Sequence, residues 1–335
     1  MNKNNQLEIE NLKISFFTPH EEIKAVDNIS YRLKYGEVMG IVGESGSGKS
    51  VMAYSILDLL PNNCKIIDGK INFNEKNILK YTKREMRDLR KNKISMIFQN
   101  PMSSLNPVYT IGHQLIEAFK SHKKTSSEEA KIHVINSLIL VGIDNPKKRM
   151  KQYPNEFSGG MLQRIIIAMA LLSHPQLLIA DEPTTALDVT IQAQIIELLI
   201  TLKKQNAMSI IFITHDLAVA AQICDKISIM YSGKIVETGS INQIFYNAVH
   251  PYTIGLLRSM PSLDSNNKTL ISIDGSPLDW PDLTTGGCPF AIRCKYCMKI
   301  CLKADPPKIN LDDTHEVYCW NVFNNLNIKE NEYAK

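Results

Sequence analysis

One eight-residue stretch, Gly43 to Ser50, constrains this chain of 335 residues more than any other feature. It reads Gly-Glu-Ser-Gly-Ser-Gly-Lys-Ser and fits the pattern G-x-x-x-x-G-K-S. It follows an apolar run, Val38–Val42, and precedes a helical stretch from Val51, which is the strand–loop–helix context of a phosphate-binding loop. The residues assigned to nucleotide binding in this loop are Gly43, Ser45, Gly46, Ser47, Gly48, Lys49 and Ser50.

The chemistry of this loop explains the residue types it contains. Glycines let backbone N–H groups turn inward around phosphate oxygens, and the following helix adds its positive N-terminal end. Lys49 is expected to reach the β- and γ-phosphates of a nucleotide, and the Ser50 hydroxyl to bind Mg²⁺. A flexible glycine turn is the alternative, but the order of strand, loop, Lys-Ser and helix argues against it.

A second candidate site is the pair of carboxylates that follows the apolar run Leu177–Ala180. Asp181 can hold Mg²⁺ directly or through water, and Glu182 can polarise the water that attacks a γ-phosphate. Two acids after a strand are usually a solvated turn. Their occurrence together with a phosphate loop favours the catalytic interpretation.

The hydrophobic pattern predicts an α/β fold. Strand-like apolar runs alternate with helical patterns such as Ile191 to Leu202, and Ser126 with Glu129 predicts a capping box that starts a helix ending near Val141. The early runs predict an antiparallel piece on the N-terminal side, and residues 100–172 predict an inserted helical subdomain. A boundary is expected near residue 250, between one domain over 1–250 and an extension over 251–335. Apolar residues alternate at Leu7 and Ile9 and then at Leu12, Ile14 and Phe16. The strand-like runs that follow are Val38–Val42, Ile71–Phe73, Ile94–Phe98, Leu177–Ala180, Ile210–Ile213 and Ile227–Met230.

Composition narrows the possible partners. The net charge is only +4 and the basic residues are dispersed, so a nucleic-acid partner is not indicated. No run approaches the ~20 apolar residues that cross a bilayer, and the polar first residues lack a signal core. We therefore expect a cytoplasmic chain that reaches a membrane only through partners.

Three narrower motifs resemble those of the ABC ATPase family. Ser158–Gln163 resembles the family's signature motif, with Met161 where Gln is commonest, and Thr185–Asp188 resembles its D-loop. His215 follows the apolar run that ends at Thr214 and matches the switch histidine. The resemblance covers residues 7 to about 250 and implies an ABC-type P-loop ATPase domain with an antiparallel β-subdomain, a helical subdomain and a small cysteine-containing tail.

The resemblance also implies roles for single residues. Ser158, Gly159 and Gly160 would face the nucleotide held by a second subunit, and His215 would contact the γ-phosphate. Gln99 matches the glutamine that senses the γ-phosphate and Mg²⁺, and the loop after it touches the membrane subunit in the family. Phe16 matches the aromatic that stacks on adenine. Phe17 competes for that role, and a core position for Phe16 is the alternative.

Longer stretches resemble the oligopeptide/dipeptide importer group, and within it the D-type ATPase subunit. These are Gln99–Pro107, Ala186–Gln194 and His250–Thr253. The group implies a second ATPase subunit in a heterodimer, two membrane permeases and an extracytoplasmic peptide-binding protein, with this chain on the cytoplasmic face of a bacterial membrane. A nickel importer of the same group is the alternative. The rivals from other classes are a soluble ABC ATPase acting on DNA or ribosomes, and a regulatory protein that binds ATP without hydrolysis.

Five of the seven cysteines lie in the last fifth of the chain. In a cytosolic protein such a group indicates metal binding more readily than disulfides. The pattern of related importers implies a four-iron four-sulfur cluster, with Zn²⁺ and metal-free thiols as alternatives and Cys297 as a surplus thiol. The expected ligands are Cys288, Cys294, Cys301 and Cys319.

Overall fold

The computed structural model describes residues 5–185, 187–260, 273–275 and 286–323. Its strands form two sheets, and most of its helices pack against the larger one. The strands are β1 (Asn5–Phe17), β2 (Glu22–Lys34), β3 (Val38–Val42), β4 (Cys64–Phe73), β5 (Lys76–Asn77), β6 (Ile94–Ile97), β7 (Leu177–Asp181), β8 (Ser209–Thr214), β9 (Lys226–Tyr231), β10 (Lys234–Ser240), β11 (Lys308–Asn310) and β12 (Glu316–Tyr318).

The helices follow the apolar periodicity of the sequence and begin at polar capping residues. They are α1 (Lys49–Ile56), α2 (Lys83–Asn92), α3 (Pro101–Ser104), α4 (Ile111–His122), α5 (Ser127–Leu140), α6 (Pro146–Arg149), α7 (Gly159–Leu171), α8 (Val189–Asn206), α9 (Leu217–Ile223), α10 (Ile241–Asn247) and α11 (Pro251–Arg258).

The smaller sheet is antiparallel and has the order β2-β1-β4-β5. It contains the alternating apolar residues of the N-terminal segment, which form one continuous strand, β1, with several register shifts. The partner strand β2 was not predicted, because its outer residues are polar and its buried ones are interrupted. This sheet is the antiparallel piece that the sequence predicts on the N-terminal side.

The larger sheet has the order β11-β12-β10-β9-β3-β8-β7-β6. Its five strands from β9 to β6 run parallel, and all residues of β3, β7 and β8 are buried. Their continuous apolar runs fit strands that are covered on both faces. Val38 and Val42 face a core shared with the helices, whereas Met39 and Ile41 face the antiparallel sheet. The carboxyl ends of these strands therefore meet at one sheet edge.

Helices α3 to α7 lie between β6 and β7 in the chain. They pack together on the core that contains Val38 and Val42. Ser126 caps α5 by accepting the N–H of Glu129 at 3.2 Å. The expected reciprocal half of the capping box is absent at this described helix, because the Glu129 carboxylate accepts the Thr125 hydroxyl instead. The predicted start of the helix is correct, but the predicted box is wrong.

The C-terminal extension joins the main sheet and its core. Strand β12 pairs with β10, and β11 with β12. Phe290 and Ala291 are buried in the core that also holds the parallel strands. These residues of the extension therefore share the main core.

The mixed α/β fold with an antiparallel sheet and a parallel core is confirmed. None of the helices in the described ranges combines the length and apolar character that crossing a bilayer requires.

Candidate nucleotide site

The loop Gly43–Ser50 joins β3 to α1, and two of its glycines allow no side chain. A Cβ on Gly43 would lie 2.0 Å from the carbonyl oxygen of Met230. Gly48 has a φ of +94°, and a Cβ there would lie 2.2 Å from the carbonyl oxygen of Ala25. Neighbouring strands thus approach the loop closely at both positions, where only glycine fits.

Lys49 is buried inside this loop. Its Nζ donates to the carbonyl oxygens of Gly43 and Glu44, both at 2.8 Å, and to Ser47 Oγ at 3.4 Å. Burial lowers the pKa of Lys49, while the carboxylates of Glu182, Asp181 and Glu44 oppose that shift. The ammonium group can therefore exchange backbone carbonyls for phosphate oxygens, which would offset its desolvation.

Asp181 ends β7 and faces the start of α1. Its Oδ1 accepts the Ser50 hydroxyl at 3.0 Å. Its Oδ2 is buried and has no hydrogen-bond partner of normal geometry among the described residues. Burial raises the pKa of Asp181, because the charged form has lost water that the protein does not replace. A buried carboxylate oxygen beside a serine hydroxyl fits Mg²⁺, a cation that prefers oxygen ligands.

Glu182 has a positive φ of 47°, and its carboxylate is held by several side chains. Its Oε2 accepts Gln99 Nε2 at 3.0 Å and the Thr185 hydroxyl at 2.8 Å. His215 Nδ1 lies 3.4 Å from the same oxygen. The ends of β6, β7 and β8 bring these residues together, so one carboxylate is oriented by three polar neighbours.

A cavity of about 690 Å³ connects these parts. Its lining includes Phe16, the loop from Ser45 to Ser50, Gln99 and Glu182. Phe17 does not line it; this residue is exposed, with Lys65 Nζ 5.9 Å from its ring centroid. Besides Lys49, three lysines line it that were not predicted from the sequence, since surface lysines are common. They are Lys13, Lys24 and Lys234.

Comparison with known proteins identifies the family to which this chain belongs. Residues 26–185 match the model of the ABC transporter family, and residues 236–301 match the C-terminal region of oligopeptide/dipeptide transporters. The chain is 50% identical over 317 residues to the dipeptide transport ATP-binding protein DppD of Bacillus subtilis, covering 94% of each. It is 50% identical over 300 residues to the oligopeptide transport ATP-binding protein OppD of Salmonella typhimurium, covering 90% of this chain and 89% of that protein. This chain belongs to the ABC transporter ATP-binding proteins.

Solved structures agree with the assignment. A dimeric ATP-binding cassette in a post-hydrolysis state with ADP and Pi matches with a TM-score of 0.64 and 27% identity, over 70% of this chain and 98% of that one. The CbiO1 cassette of Clostridium perfringens matches with a TM-score of 0.64, over 73% and 92%. The chain is thus an ABC ATPase, and the family's nucleotide and metal are ATP and Mg²⁺.

The residues expected to form the signature motif are not part of the cavity lining. Ser158 caps α7 by accepting the Met161 N–H at 3.4 Å, and Ser158, Gly159 and Gly160 do not line the nucleotide cavity. A Cβ on Gly160 would lie 2.6 Å from Ile191 Cγ2, so this glycine also allows α7 to approach α8 closely. In the expected D-loop, Ala186 lies outside the described residues.

The C-terminal extension of this ABC ATPase reaches the phosphate loop, which the sequence did not predict. Tyr252 Oη accepts the Glu44 N–H at 3.1 Å, and Arg293 pairs with the Glu44 carboxylate at 2.8 Å. His250, the helix cap before Tyr252, accepts the Tyr252 N–H at 3.1 Å. In the sequence, His250–Thr253 indicates only the importer group. In the structure, the Tyr252 hydroxyl of this stretch contacts the phosphate loop.

The tail cysteines form no disulfide among the described residues; Cys288, Cys301 and Cys319 are buried, Cys294 is half-buried and Cys297 is exposed. Burial raises the pKa of Cys288 to about 12, and the nearby thiols of Cys319, Cys301 and Cys294 raise it further. Among the residues that the structure describes, no group of three or more His, Cys, Asp or Glu side chains is arranged to hold a metal ion. The predicted four-iron four-sulfur cluster, or Zn²⁺, on Cys288, Cys294, Cys301 and Cys319 is not supported by this arrangement, in which buried thiols favour their neutral form.

Proposed function

We propose that this ABC ATPase energises the import of oligopeptides or dipeptides through a membrane transporter. The main support is its C-terminal segment, because residues 236–301 match a region described for oligopeptide/dipeptide transporters. The high identity to peptide transport ATP-binding proteins, which extends over most of the chain, adds to it. The chain divides in this proposal near residue 250, into the ATP-binding domain and the importer-type extension.

The residues that line the cavity, together with Asp181 and His215 beside it, are proposed to share the chemistry of ATP hydrolysis. Lys49 and the N–H groups of its loop would bind the β- and γ-phosphates, and Ser50, Asp181 and Gln99 would hold Mg²⁺, which neutralises phosphate charge when bound. Glu182 would orient and polarise the attacking water, with His215 beside the γ-phosphate. Phe16 would stack on adenine, since it lines the cavity whereas Phe17 does not.

We also propose that a second ATPase subunit completes this site, most simply as a heterodimer. Ser158, Gly159 and Gly160 would then bind the γ-phosphate of the partner's nucleotide through the N-terminus of α7. The side chain of Val189, at the start of α8 after the D-loop, is 82% exposed. An apolar residue in that position fits a surface that a partner covers.

A separate apolar surface supports docking onto two membrane permeases. Phe98, Met102, Val108 and Tyr109 are exposed and follow the end of β6 closely, where Gln99 also lies. A permease contact there would link membrane movement to Gln99 and hence to Glu182. Such docking would place the chain on the cytoplasmic face of a bacterial membrane, with an extracytoplasmic peptide-binding protein delivering the cargo.

Uptake in cells tests the transport proposal. The chromosomal copy is replaced by the Lys49→Ala variant, and uptake of labelled dipeptides, pentapeptides and Ni²⁺ is measured. We expect peptide uptake to fall to background while Ni²⁺ uptake is unchanged. Loss of Ni²⁺ uptake with normal peptide uptake would instead identify a nickel importer, and unchanged uptake of both would contradict transport of either.

Mixing experiments test the composite site. The purified chain alone should hydrolyse ATP slowly, and addition of the second ATPase encoded beside it should raise the rate. Rapid hydrolysis by a monomer, independent of protein concentration, would contradict the proposal.

Metal binding by the tail is a separate proposal that rests on the sequence pattern of Cys288, Cys294, Cys301 and Cys319, because the described residues form no group arranged to hold a metal ion. Anaerobic purification with iron and zinc analysis and a visible absorption spectrum tests it. Brown protein with about four irons per chain would support the cluster. Colourless protein with one zinc would support the alternative, and metal-free protein with an ordered tail would contradict both.

A further inference from the structure

Glu44 is the acidic residue of the phosphate loop, and all three of its polar groups have partners. Its C=O accepts Lys49 Nζ at 2.8 Å. Its N–H donates to Tyr252 Oη at 3.1 Å, and its carboxylate accepts two N–H groups of Arg293, at 2.8 and 3.3 Å. Two of these three partners come from the chain beyond residue 250. Tyr252 is 208 residues and Arg293 is 249 residues away from Glu44 in sequence.

Arg293 itself is held in one position. Its side chain is 7% exposed, and its guanidinium carbon lies 5.7 Å from the ring centroid of Tyr231 and 5.9 Å from that of Phe290. Its Nε donates to the carbonyl oxygen of Asp274 at 2.9 Å, and its Nη1 also donates to Tyr231 Oη at 3.2 Å. A guanidinium held by these ring contacts and hydrogen bonds presents a rigid fork to the Glu44 carboxylate.

The same part of the extension forms a wall of the nucleotide cavity. Gly286, Gly287, Pro289 and Asp305 line it together with the phosphate loop. Asp305 pairs with Lys234 at 2.6 Å and accepts the Gly287 N–H at 2.9 Å. The extension therefore contacts the nucleotide site along two routes, one through Glu44 and one through this wall.

Binding a polyphosphate changes the balance at Glu44. Lys49 must turn from the carbonyls of Gly43 and Glu44 towards the phosphates, so one of the three anchors of Glu44 is released. A carboxylate in this loop also repels the incoming phosphates unless a cation neutralises it. The anchors that remain, and the neutralising charge, both come from the extension.

We propose that Arg293 is a positioning residue for ATP, and that it acts through Glu44 to hold and neutralise the phosphate loop. The C-terminal extension is then a working part of the nucleotide site rather than an appendage. This inference rests on the proposed nucleotide site around Lys49. It assigns no contact between Arg293 and the nucleotide.

The test measures the Kd for ATP with Mg²⁺, using the purified full-length chain. Arg293→Gln should raise the Kd about tenfold, because it leaves an unpaired carboxylate beside the phosphates. Arg293→Lys should recover only part of the affinity, since an ammonium cannot make the two-pronged contact. The matched control is Lys295→Gln, two residues away, where an exposed ion pair with Asp274 is lost and the Kd should not change.

A double-mutant cycle separates positioning from a general structural role. In a Glu44→Gln background no carboxylate remains unpaired, so adding Arg293→Gln should change the Kd by less than about twofold. An undiminished effect in that background, or no effect of Arg293→Gln in the first place, would overturn the inference. If Arg293→Gln does not fold, Arg293→Lys carries the same cycle, with thermal unfolding as the check on folding.

The Lys49→Ala variant separates a failure of the proposed nucleotide site from a failure of the proposed role of Arg293. Unchanged ATP affinity in that variant would overturn the proposed site itself. Loss of affinity with Lys49→Ala, but none with Arg293→Gln, would overturn only the role of Arg293.

Discussion

Gln99 and Glu182 are 83 residues apart in the chain, yet Gln99 Nε2 donates a hydrogen bond of 3.0 Å to Glu182 Oε2. Gln99 follows the parallel strand β6 and Glu182 follows β7, and these strands are neighbours in the sheet. The bond therefore joins the loop that carries the exposed apolar surface to the acid proposed to activate water. A movement of that loop has a direct route to the chemistry.

Glu182→Gln should keep ATP binding and lose turnover. The amide preserves the shape of the side chain but carries no negative charge and cannot accept a proton. The attacking water therefore loses its polarising group. We expect kcat to fall by ~10²–10⁴, with the Kd for ATP within a few-fold of the original. The measurement is phosphate release by the assembled transporter, and turnover near the normal rate would exclude Glu182 as the catalytic acid.

Asp181→Asn should stabilise the nucleotide-free protein while abolishing hydrolysis. Burial raises the pKa of Asp181, so the folded state binds its proton more tightly than the unfolded state does. Its contribution to stability is greatest below the unfolded pKa and is lost as the pH rises through the folded pKa. The neutral amide avoids that loss, and we expect a gain of about 1 kcal/mol in Mg²⁺-free buffer.

Denaturant unfolding at several pH values checks this. The gain from Asp181→Asn should appear at neutral pH and vanish in acid, where the native carboxyl is already neutral. A variant that is less stable than the original chain at neutral pH would contradict the assignment of Asp181 as a desolvated metal ligand.

The sequence predicts those parts of the site that depend on local order. The loop Gly43–Ser50 and the acids Asp181 and Glu182 each follow a buried parallel strand, and parallel strands bring their carboxyl ends to one edge. Once the strands were recognised, the proximity of Ser50 to Asp181 followed. The fold class was predicted for the same reason.

The contacts that were missed all depend on long-range packing. Nothing near Arg293 in the sequence indicates a partner 249 residues earlier, and Tyr252 looks like an ordinary core aromatic. Strand β12 has only three residues and pairs with β10, which ends more than 70 residues before it. Periodicity within a short window carries no information about such pairings.

His250 should make the protein sensitive to mild acid. This histidine is fully buried, and burial lowers its pKa to about 4, while the neighbouring Glu237 opposes that shift. The stability given by the neutral ring is present above the unfolded pKa of 6.5 and is lost as the pH falls towards 4. The full loss would be about 3 kcal/mol.

His250→Asn keeps a side-chain acceptor at the start of α11 but removes the titrating group. Between pH 6.5 and 4, the unfolding free energy of this variant should decline less steeply than that of the original chain. His113→Asn is the control, because His113 is exposed and its replacement should leave the slope unchanged. Equal slopes for the original chain and His250→Asn would show that His250 is not responsible.

A buried hydrogen bond between His315 and Glu237 should hold the extension on the main sheet. His315 Nε2 lies 2.9 Å from Glu237 Oε1, and the Glu237 carboxylate also accepts the N–H groups of Val249 and His250. Glu237 is fully buried, so removing His315 leaves a charge with backbone partners alone. We expect His315→Ala to lower the free energy of unfolding by about 3 kcal/mol.

The control for this last variant lies on β11, the strand that pairs with β12. Lys308 pairs with Glu316 at 2.9 Å on the surface, beside β12, and Lys308→Ala should cost less than about 1 kcal/mol. Denaturant unfolding of both variants gives the comparison, and limited proteolysis reports whether the extension is released first. Because His315 lies in the extension and Glu237 in β10, loss of the pair should expose the tail before the parallel core unfolds. Equal costs for the two variants would mean that the buried pair does not attach the extension.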